Sequence, residues 1–531
     1  MSSSHVVSDQ SDVIAFLSDP ASHGIESSVE RIDTQSAVVF LAGDDVFKLK
    51  RAVRFPFMDL STVEKRRRAC EAEIDVNRAN APTLYLGALP ISEESGGLRF
   101  GGEAERAIDW VVHMRRYPES RSLSAIASND EALSDTLIRE LAHALHGSHQ
   151  RAATKDGETA YAVLGETIQQ NAEAFPEWPD LFPAEHGVRL SEQSNDRLHG
   201  LQALLLKRGR DGFVRRCHGD LHLGNVVLLD DEATLVDAIE FDDRIATIDL
   251  LHDLAFPAMD LWHHRQPEAA NRLLNRYLWL SAPANLEAMA AFPLFVSLRA
   301  ALRAKVVAAS LDYLDNSART EAALRARAYF ELAVAAVEDD RPSLVAIGGL
   351  SGTGKSTVAT RLAPMLGRPP GALHLRSDIE RKRLWHADEF DRLPAEAYSA
   401  EQSEAVYARL NELAATALSA GQSVIVDGVF ARDAEREDIA EIARTLGVPF
   451  HGLWLEAPAT VLADRVTERR SDASDATAEV VSQQSAYQVG SMDWQRIDAA
   501  GEVDATVDAA RGAINFDASR SQAAPTGRHS R

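Results

Sequence analysis

Residues Gly349–Ser356 read GLSGTGKS, a full match to G-x-x-x-x-G-K-[ST], and this motif restricts what the chain can fold into more than any other stretch. It directly follows the apolar run Leu344-Val-Ala-Ile and precedes a helical pattern over Thr357–Leu366, the strand–turn–helix setting that its chemistry requires. In that setting the backbone N–H groups of Gly349, Leu350, Ser351, Gly352, Thr353 and Gly354, with the helix N-terminus at Lys355, Ser356 and Thr357, cradle phosphate oxygens. Lys355 would neutralise charge on the outer phosphates, and Ser356 would hold Mg2+. A plain Gly-rich turn is the alternative, and the flanking strand and helix argue against it.

From Leu344 onward, apolar strands alternate with helices: LVAIGG, ALHL, SVIVDG and FHGLWL are separated by helical stretches. This order predicts a parallel sheet with crossover helices. The second strand ends ALHLRSD, which leaves Asp378 at a carboxyl edge of the sheet beside the phosphates. A carboxylate there can take the proton of a substrate hydroxyl while the neighbouring Arg381, Lys382 or Arg383 orients that substrate. Capping the next helix is its alternative role. Asp427, closing the third strand, is placed as a Walker-B-like group behind the metal, or else as a turn residue before Gly428. Arg465 and Arg469 are four apart and share a helix face. With Arg470 they precede a polar stretch that reads as a lid closing on the transferring phosphate; a solvated helix end is the plainer reading.

A second set of motifs lies upstream. Cys217–Asn225 reads CHGDLHLGN, which keeps the Asp-to-Asn spacing of the kinase catalytic loop H-R-D-L-x-x-x-N. Asp220 would take the acceptor proton, and Asn225, five residues on, would turn back to ligate Mg2+. After a predicted hairpin, VVLLDDEATLV, the acids Asp237, Glu240 and Asp242 compete for the second metal position, with Asp237 nearest in spacing. Such a site also needs a strand Lys and a helix Glu. Lys48 and Lys50 in VFKLK share one strand face, so period 2 does not separate them. Glu71 and Glu73 offer the same choice on the helix Thr62–Arg78; the preferred pair is Lys48 with Glu73. No G-x-G-x-x-G loop precedes Lys48.

Composition narrows the setting. The 531 residues are 45% hydrophobic and 26% charged, as in ordinary globular proteins. A net charge of −24 argues against a non-specific nucleic-acid binder or a polybasic membrane-surface protein. Cys70 and Cys217 cannot build a disulfide framework, and both read as buried packing residues. The N-terminus lacks the basic and apolar regions of a secretory signal, and no run of about 18 apolar residues appears. A cytoplasmic protein is expected.

The order GLSGTGKST, RSD-x-x-RK, VDG-x-F and ERR-x-DASDA resembles the small P-loop kinases of the gluconate kinase, shikimate kinase, chloramphenicol phosphotransferase and zeta-toxin group. Upstream, GDDVFKLKR, RRRACEAEIDVNR, HMRRYPE, CHGDLHLGN and DAIEFDD resemble the aminoglycoside-phosphotransferase half of the bifunctional aminoglycoside phosphotransferase/ATP-binding protein family. That resemblance implies an α+β, two-lobed kinase-like module followed by an α/β P-loop module. The expected layout is an N-lobe over 1–116, a helical C-lobe over 117–337, a linker over 338–343, a P-loop kinase over 344–516 and a disordered tail over 517–531. In it, Asp253 of the stretch IDLLHDLAF, which also holds Asp249, would brace the catalytic loop. ATP and Mg2+ are the implied cofactors, and the implied activity is γ-phosphoryl transfer to hydroxyls of small molecules, sugar-like or amino-sugar. Two other readings stand beside it: a nucleotide-controlled regulatory protein and a zeta-toxin-like kinase of nucleotide-sugars. Small acceptors are the expected partners, with neither nucleic acid nor membrane.

Overall fold

The computed structural model describes residues 5–55, 58–94, 96–129, 132–281, 283–468, 473–487 and 489–514. Contacts divide the chain into two compact units: Met1–Glu131 with His143–Leu164 and Leu206–Pro257, and Ala132–Ala142 with Gly165–Leu205 and Ala258–Arg531. The expected tail over 517–531 lies outside the described residues.

In the first unit, strands β1 (Glu30–Asp33), β2 (Ala37–Ala42) and β3 (Asp45–Lys50) precede a small hairpin of β4 (Arg54–Phe55) and β5 (Met58–Asp59). Helix α1 (Val63–Arg78) follows, then β6 (Tyr85–Glu94), β7 (Gly97–Phe100) and β8 (Ala107–Arg115). The larger strands form one antiparallel sheet in the order β1-β2-β3-β8-β6-β7. Strands β2 and β3 form a hairpin that turns at Gly43 with φ 62°. Strand β1 was not legible because every residue in it is exposed and it carries no apolar alternation. Thr62 caps α1 by accepting the Lys65 N–H at 3.3 Å, and Cys70 and Ile74 pack into the sheet with Trp110, Val112 and Met114. Burial pushes the Cys70 thiol up to about 12, so it is an inert packing group.

The same helix carries a buried charge into this sheet. Arg66 Nε and Nη2 meet Asp109 Oδ1 and Oδ2 at 2.7 and 2.9 Å. The chain then runs through β9 (Val214–Arg216), the hairpin β10 (Val226–Leu229) and β11 (Glu232–Leu235), and β12 (Thr247–Asp249), which pairs with β9. Asp230 and Asp231 close the hairpin with positive φ, the handedness a two-residue loop needs. Helix α2 (Leu250–His263) begins directly after β12.

The second unit holds the helices α3 (Pro267–Leu280), α4 (Phe292–Ser310) and α5 (Asn316–Val337), and after them a sheet of five parallel strands. These are β13 (Leu344–Gly348), β14 (Leu373–Arg376), β15 (Val424–Asp427), β16 (Phe450–Glu456) and β17 (Gln495–Asp498), in the order β14-β15-β13-β16-β17. The intervening helices are α6 (Lys355–Leu362), α7 (Ser377–Leu384), α8 (Ala400–Ser419), α9 (Asp433–Leu446), α10 (Ala459–Glu468) and α11 (Ala478–Gln484), and α12 (Val503–Ala513) follows β17. The sheet is wound outward from β13, so its crevice opens at the carboxyl end of that strand, where the Gly-rich turn lies. The expected helix Thr357–Leu366 instead starts at Lys355 and gives way at Ala363 to a 3-10 turn. Pro364, which has no N–H to donate, explains the early end. The fifth strand was missed because only Ile497 of β17 is buried. Among the described residues no helix is long and apolar enough to cross a membrane.

Removing one partner of the Arg66–Asp109 pair leaves a charge buried without its counterpart. Asp109→Ala is therefore expected to destabilise the first unit by about 3–5 kcal/mol, read as a shift in its urea-unfolding transition. The double change Asp109→Ala with Arg66→Met should cost less than Asp109→Ala alone.

Candidate functional site

The first unit assembles a cluster of charge from β3, α1 and the loop after β11. Lys48 Nζ donates to Glu73 Oε1 at 2.9 Å and to Asp237 Oδ1 at 2.8 Å. Lys50, on the same face, pairs with Glu73 and Glu240. Both lysines therefore share Glu73, and only Lys48 also holds Asp237. Glu71 instead pairs with Arg67 on the surface at 2.9 Å. Asp242 caps a short helical turn by accepting the Arg244 N–H, and Asp249 is bound by Arg208 at 2.5 and 2.7 Å. The geometry thus brings Lys48, Glu73 and Asp237 together and gives the competing acids other partners.

Asp237 lies at φ 59°, in the left-handed region that a non-glycine residue occupies only when its surroundings hold it there. Its N–H donates to the Tyr85 hydroxyl at 2.9 Å, and the next N–H, of Ala238, donates to Asn77 Oδ1 at 2.8 Å. These bonds turn the Asp237 carboxylate toward Lys48, whose ammonium holds it down to about 2. Burial alone would push the Lys48 ammonium down, but Asp237 and Glu73 raise it well above its ordinary value. Tyr85 lies in no motif, and neither its role nor that of Asn77, within RRRACEAEIDVNR, was legible from the sequence.

The loop 217–225 packs beside this cluster. Asp253, fully buried, accepts the N–H groups of His218 at 3.1 Å and Gly219 at 3.0 Å, and His149 Nε2 lies 3.1 Å from it. It braces the loop, as the resemblance implied. Asn225 turns back, its Nδ2 donating to the Asp220 carbonyl at 2.8 Å. His222 Nδ1 accepts the Gly224 N–H at 3.1 Å, leaving Nε2 3.7 Å from the Asp220 carboxylate. Asp220 keeps 40% of its side chain exposed, so an acceptor hydroxyl can reach it.

In the second unit a cavity of about 450 Å3 is lined by the turn from Ser351 to Val358, together with Ser377, Asp378, Arg465, Ala499 and Gly501. Gly354 caps α6 at φ 86° with open space where a Cβ would stand, which leaves the first N–H groups of the helix accessible to a phosphate. Gly349 and Gly352 act differently: a Cβ at either would come within 2.6 Å of a backbone carbonyl, of Leu455 or Leu462. Lys355 Nζ donates to the Leu350 carbonyl at 3.0 Å, and the Ser351 N–H donates to Gln484 Oε1 of α11 at 2.8 Å.

Asp378 lies in the first turn of α7, and Arg376, not Asp378, takes the capping position. Of the neighbouring cations, Arg381 donates to the Ala397 carbonyl, Lys382 to the carbonyls of Glu389 and Asp391, and Arg383 to those of Leu278 and Ser281. Each of these is thus bound to protein carbonyls. Arg465 donates to the carbonyls of Ala499 at 2.7 Å and Gly501 at 2.8 Å, bracing the cavity wall. Arg469 and Arg470 lie outside the described residues.

Asp427 ends β15, fully buried, with His374 Nε2 of the neighbouring strand 2.7 Å from its Oδ2. Burial pushes this carboxyl up, but His374, Arg376 and the Ser356 hydroxyl outweigh it and hold it down to about 2. An ionised carboxylate beside the Ser356 hydroxyl is the donor set a hard divalent cation takes. Such a cation, when bound, neutralises phosphate charge, and Ser356 and Asp427 would hold it.

The phosphotransferase enzyme family matches residues 98–292, and an AAA domain matches residues 344–489. An uncharacterized protein of Mycobacterium tuberculosis is 31% identical over 493 residues, 90% of this chain and 93% of the relative. Among solved structures, a choline/ethanolamine kinase family protein from Mesorhizobium loti shares 14% identity, covering 61% of this chain and 97% of its own at a TM-score of 0.35. A gluconokinase from Sinorhizobium meliloti 1021 shares 18% identity, covering 33% of this chain and 93% of its own at a TM-score of 0.25. An N-terminal kinase-like module and a C-terminal P-loop kinase module with a parallel sheet define the protein as a kinase, a small-molecule phosphotransferase. The chain belongs to one family with that Mycobacterium tuberculosis protein, and in it a segment of the phosphotransferase enzyme family is followed by an AAA domain.

Because Asp427 titrates near 2 in the folded chain against an ordinary 3.8, its ionisation favours folding above about pH 4. That contribution is lost as the pH falls toward 2. Between those pH values wild type should lose on the order of 2 kcal/mol more than Asp427→Asn, read by urea unfolding of the second unit.

Proposed function

We propose that the chain is a bifunctional phosphotransferase with two ATP sites, each moving the γ-phosphoryl group onto a hydroxyl of a small molecule. The observation that carries this reading is the pair of metal-type carboxylates, Asp237 and Asp427, each held ionised beside a candidate phosphate-binding element. Lys48 lies 2.8 Å from the first, and Ser356 of the Gly-rich turn bonds the second.

In the N-terminal site Asp220 is the base, Asn225 and Asp237 hold Mg2+, and Lys48, anchored by Glu73, holds phosphate. In the P-loop site Lys355 holds the outer phosphates, Ser356 and Asp427 hold Mg2+, and Asp378, on the cavity wall, is the base. In either site the acceptor oxygen bonds the γ-phosphorus as the bond to the ADP oxygen breaks, and the acceptor proton passes to the aspartate. Sugar-like alcohols, amino sugars included, are the proposed acceptors; the partly open Asp220 carboxylate suits a hydroxylated, amino-bearing one. The net charge of −24 repels phosphate backbones and anionic lipids, so nucleic acid and membrane are not among the proposed partners.

A second reading, a nucleotide-controlled switch, draws on Gln484. Its side chain occupies the Ser351 N–H, so an incoming phosphate and α11 would compete for one donor.

Transfer of γ-phosphate from ATP to a panel of sugars, amino sugars, aminoglycosides and nucleotide-sugars separates these readings. Lys355→Ala should lower transfer to one acceptor class by at least about a hundredfold, and Asp220→Asn should lower transfer to another by about 100- to 10,000-fold. Hydrolysis indifferent to every acceptor would favour the switch, and transfer unaffected by both changes would overturn the residue assignments.

A further inference from the structure

Strand β14 is an edge of the parallel sheet, and its outward backbone groups need partners. Helix α3, from the segment matched by the phosphotransferase family, supplies them with side chains at residues 271, 275 and 279. Asn271 Nδ2 donates to the Ala372 carbonyl at 2.9 Å. Asn275 Oδ1 accepts the His374 N–H at 2.8 Å, and Trp279 Nε1 donates to the His374 carbonyl at 3.3 Å. The match has a geometric basis. Four helical residues advance about 6 Å and two strand residues about 6.6 Å, so Asn271 and Asn275 meet residues 372 and 374, and the longer Trp279 side chain reaches back to the far side of His374. Asn271 and Asn275 are 2% and 6% exposed, so neither serves solvent.

What β14 carries makes this contact more than an edge cover. In the parallel register Arg376 stands opposite Asp427 and His374 opposite Ile425, so His374 reaches Asp427 diagonally on the same face. His374 Nε2 lies 2.7 Å from the Asp427 carboxylate and Arg376 Nε 4.0 Å from it. Both are in turn held by α3: His374 through its own backbone N–H and carbonyl, Arg376 by lying 5.8 Å from the centre of the Trp279 ring. The Asp427 carboxylate is therefore fixed by two side chains whose strand is fixed by Asn275 and Trp279.

We propose that Asn275 and Trp279 are positioning residues of the P-loop site, and that a helix of the phosphotransferase segment is a working part of the P-loop kinase. This inference rests on the reading of Asp427 as a metal carboxylate. Loss of such outer support lowers metal affinity about 10- to 100-fold in other sites.

The test is Mn2+ binding with ADP by the full-length chain, the P-loop component being the one that Lys355→Ala removes. Asn275→Ala should weaken that component about 10-fold, and Trp279→Phe, which keeps the ring but loses the N–H, by several-fold. ADP binding in EDTA should stay within about two-fold of wild type, because the phosphate cradle is untouched. A role confined to stability would lower the melting temperature and leave Mn2+ affinity unchanged. Wild-type Mn2+ affinity in both variants, with affinity lost in Asp427→Asn, would overturn the proposal alone. Wild-type affinity in Asp427→Asn would overturn the metal reading, and the proposal with it.

Discussion

Asp427 is closed off from solvent, and it stays ionised because His374 on the next strand lies 2.7 Å from its carboxylate. A buried carboxylate without such a partner would take up a proton and lose its use to a cation. In the first unit a lysine, Lys48, lies beside Asp237, whose side chain is half exposed. In both places the carboxylate is held well below the usual range, and residues remote in sequence position one member of the pair. Tyr85 and Asn77 orient the backbone at Asp237, and Asn275 fixes the strand that carries His374.

This dependence links fold to chemistry in the second unit. A parallel sheet leaves an edge with unmet hydrogen-bonding groups, and those groups must be covered or paired. Covering the edge with α3 answers a requirement of stability. The strand so covered also delivers His374 and Arg376 to the carboxylate behind the Gly-rich turn, so the same bonds that close the sheet set the geometry of the site. The loop 217–225 shows the same economy in the first unit, where one buried carboxylate, Asp253, takes two successive N–H groups.

The parts legible in the sequence were those fixed by local chemistry. The turn Gly349–Ser356 depends on backbone N–H groups and on glycines that permit positive φ, so the residues themselves announce it. Asp220 and Asn225 are likewise five residues apart on one loop. Lys48 and Lys50 were inseparable because strand period 2 puts both on one face; only the position of Asp237, 189 residues from Lys48, distinguishes them. His374, Asn271, Asn275 and Trp279 act through contacts about a hundred residues apart. The one local sign of them was a row of polar or N–H-bearing residues spaced by four, on a helix that also carries Glu268, Arg272 and Arg276. Strand β17 gave no sign, having a single buried residue.

Two nucleotide sites in one chain are the core of this account, and the stoichiometry of ADP binding in the presence of Mg2+ tests them most directly. Calorimetric titration of the full-length chain should reach two ADP per chain, falling to one in Lys355→Ala and to a different one in Lys48→Ala. A single ADP per chain in wild type, abolished by either change alone or untouched by one of them, would contradict it.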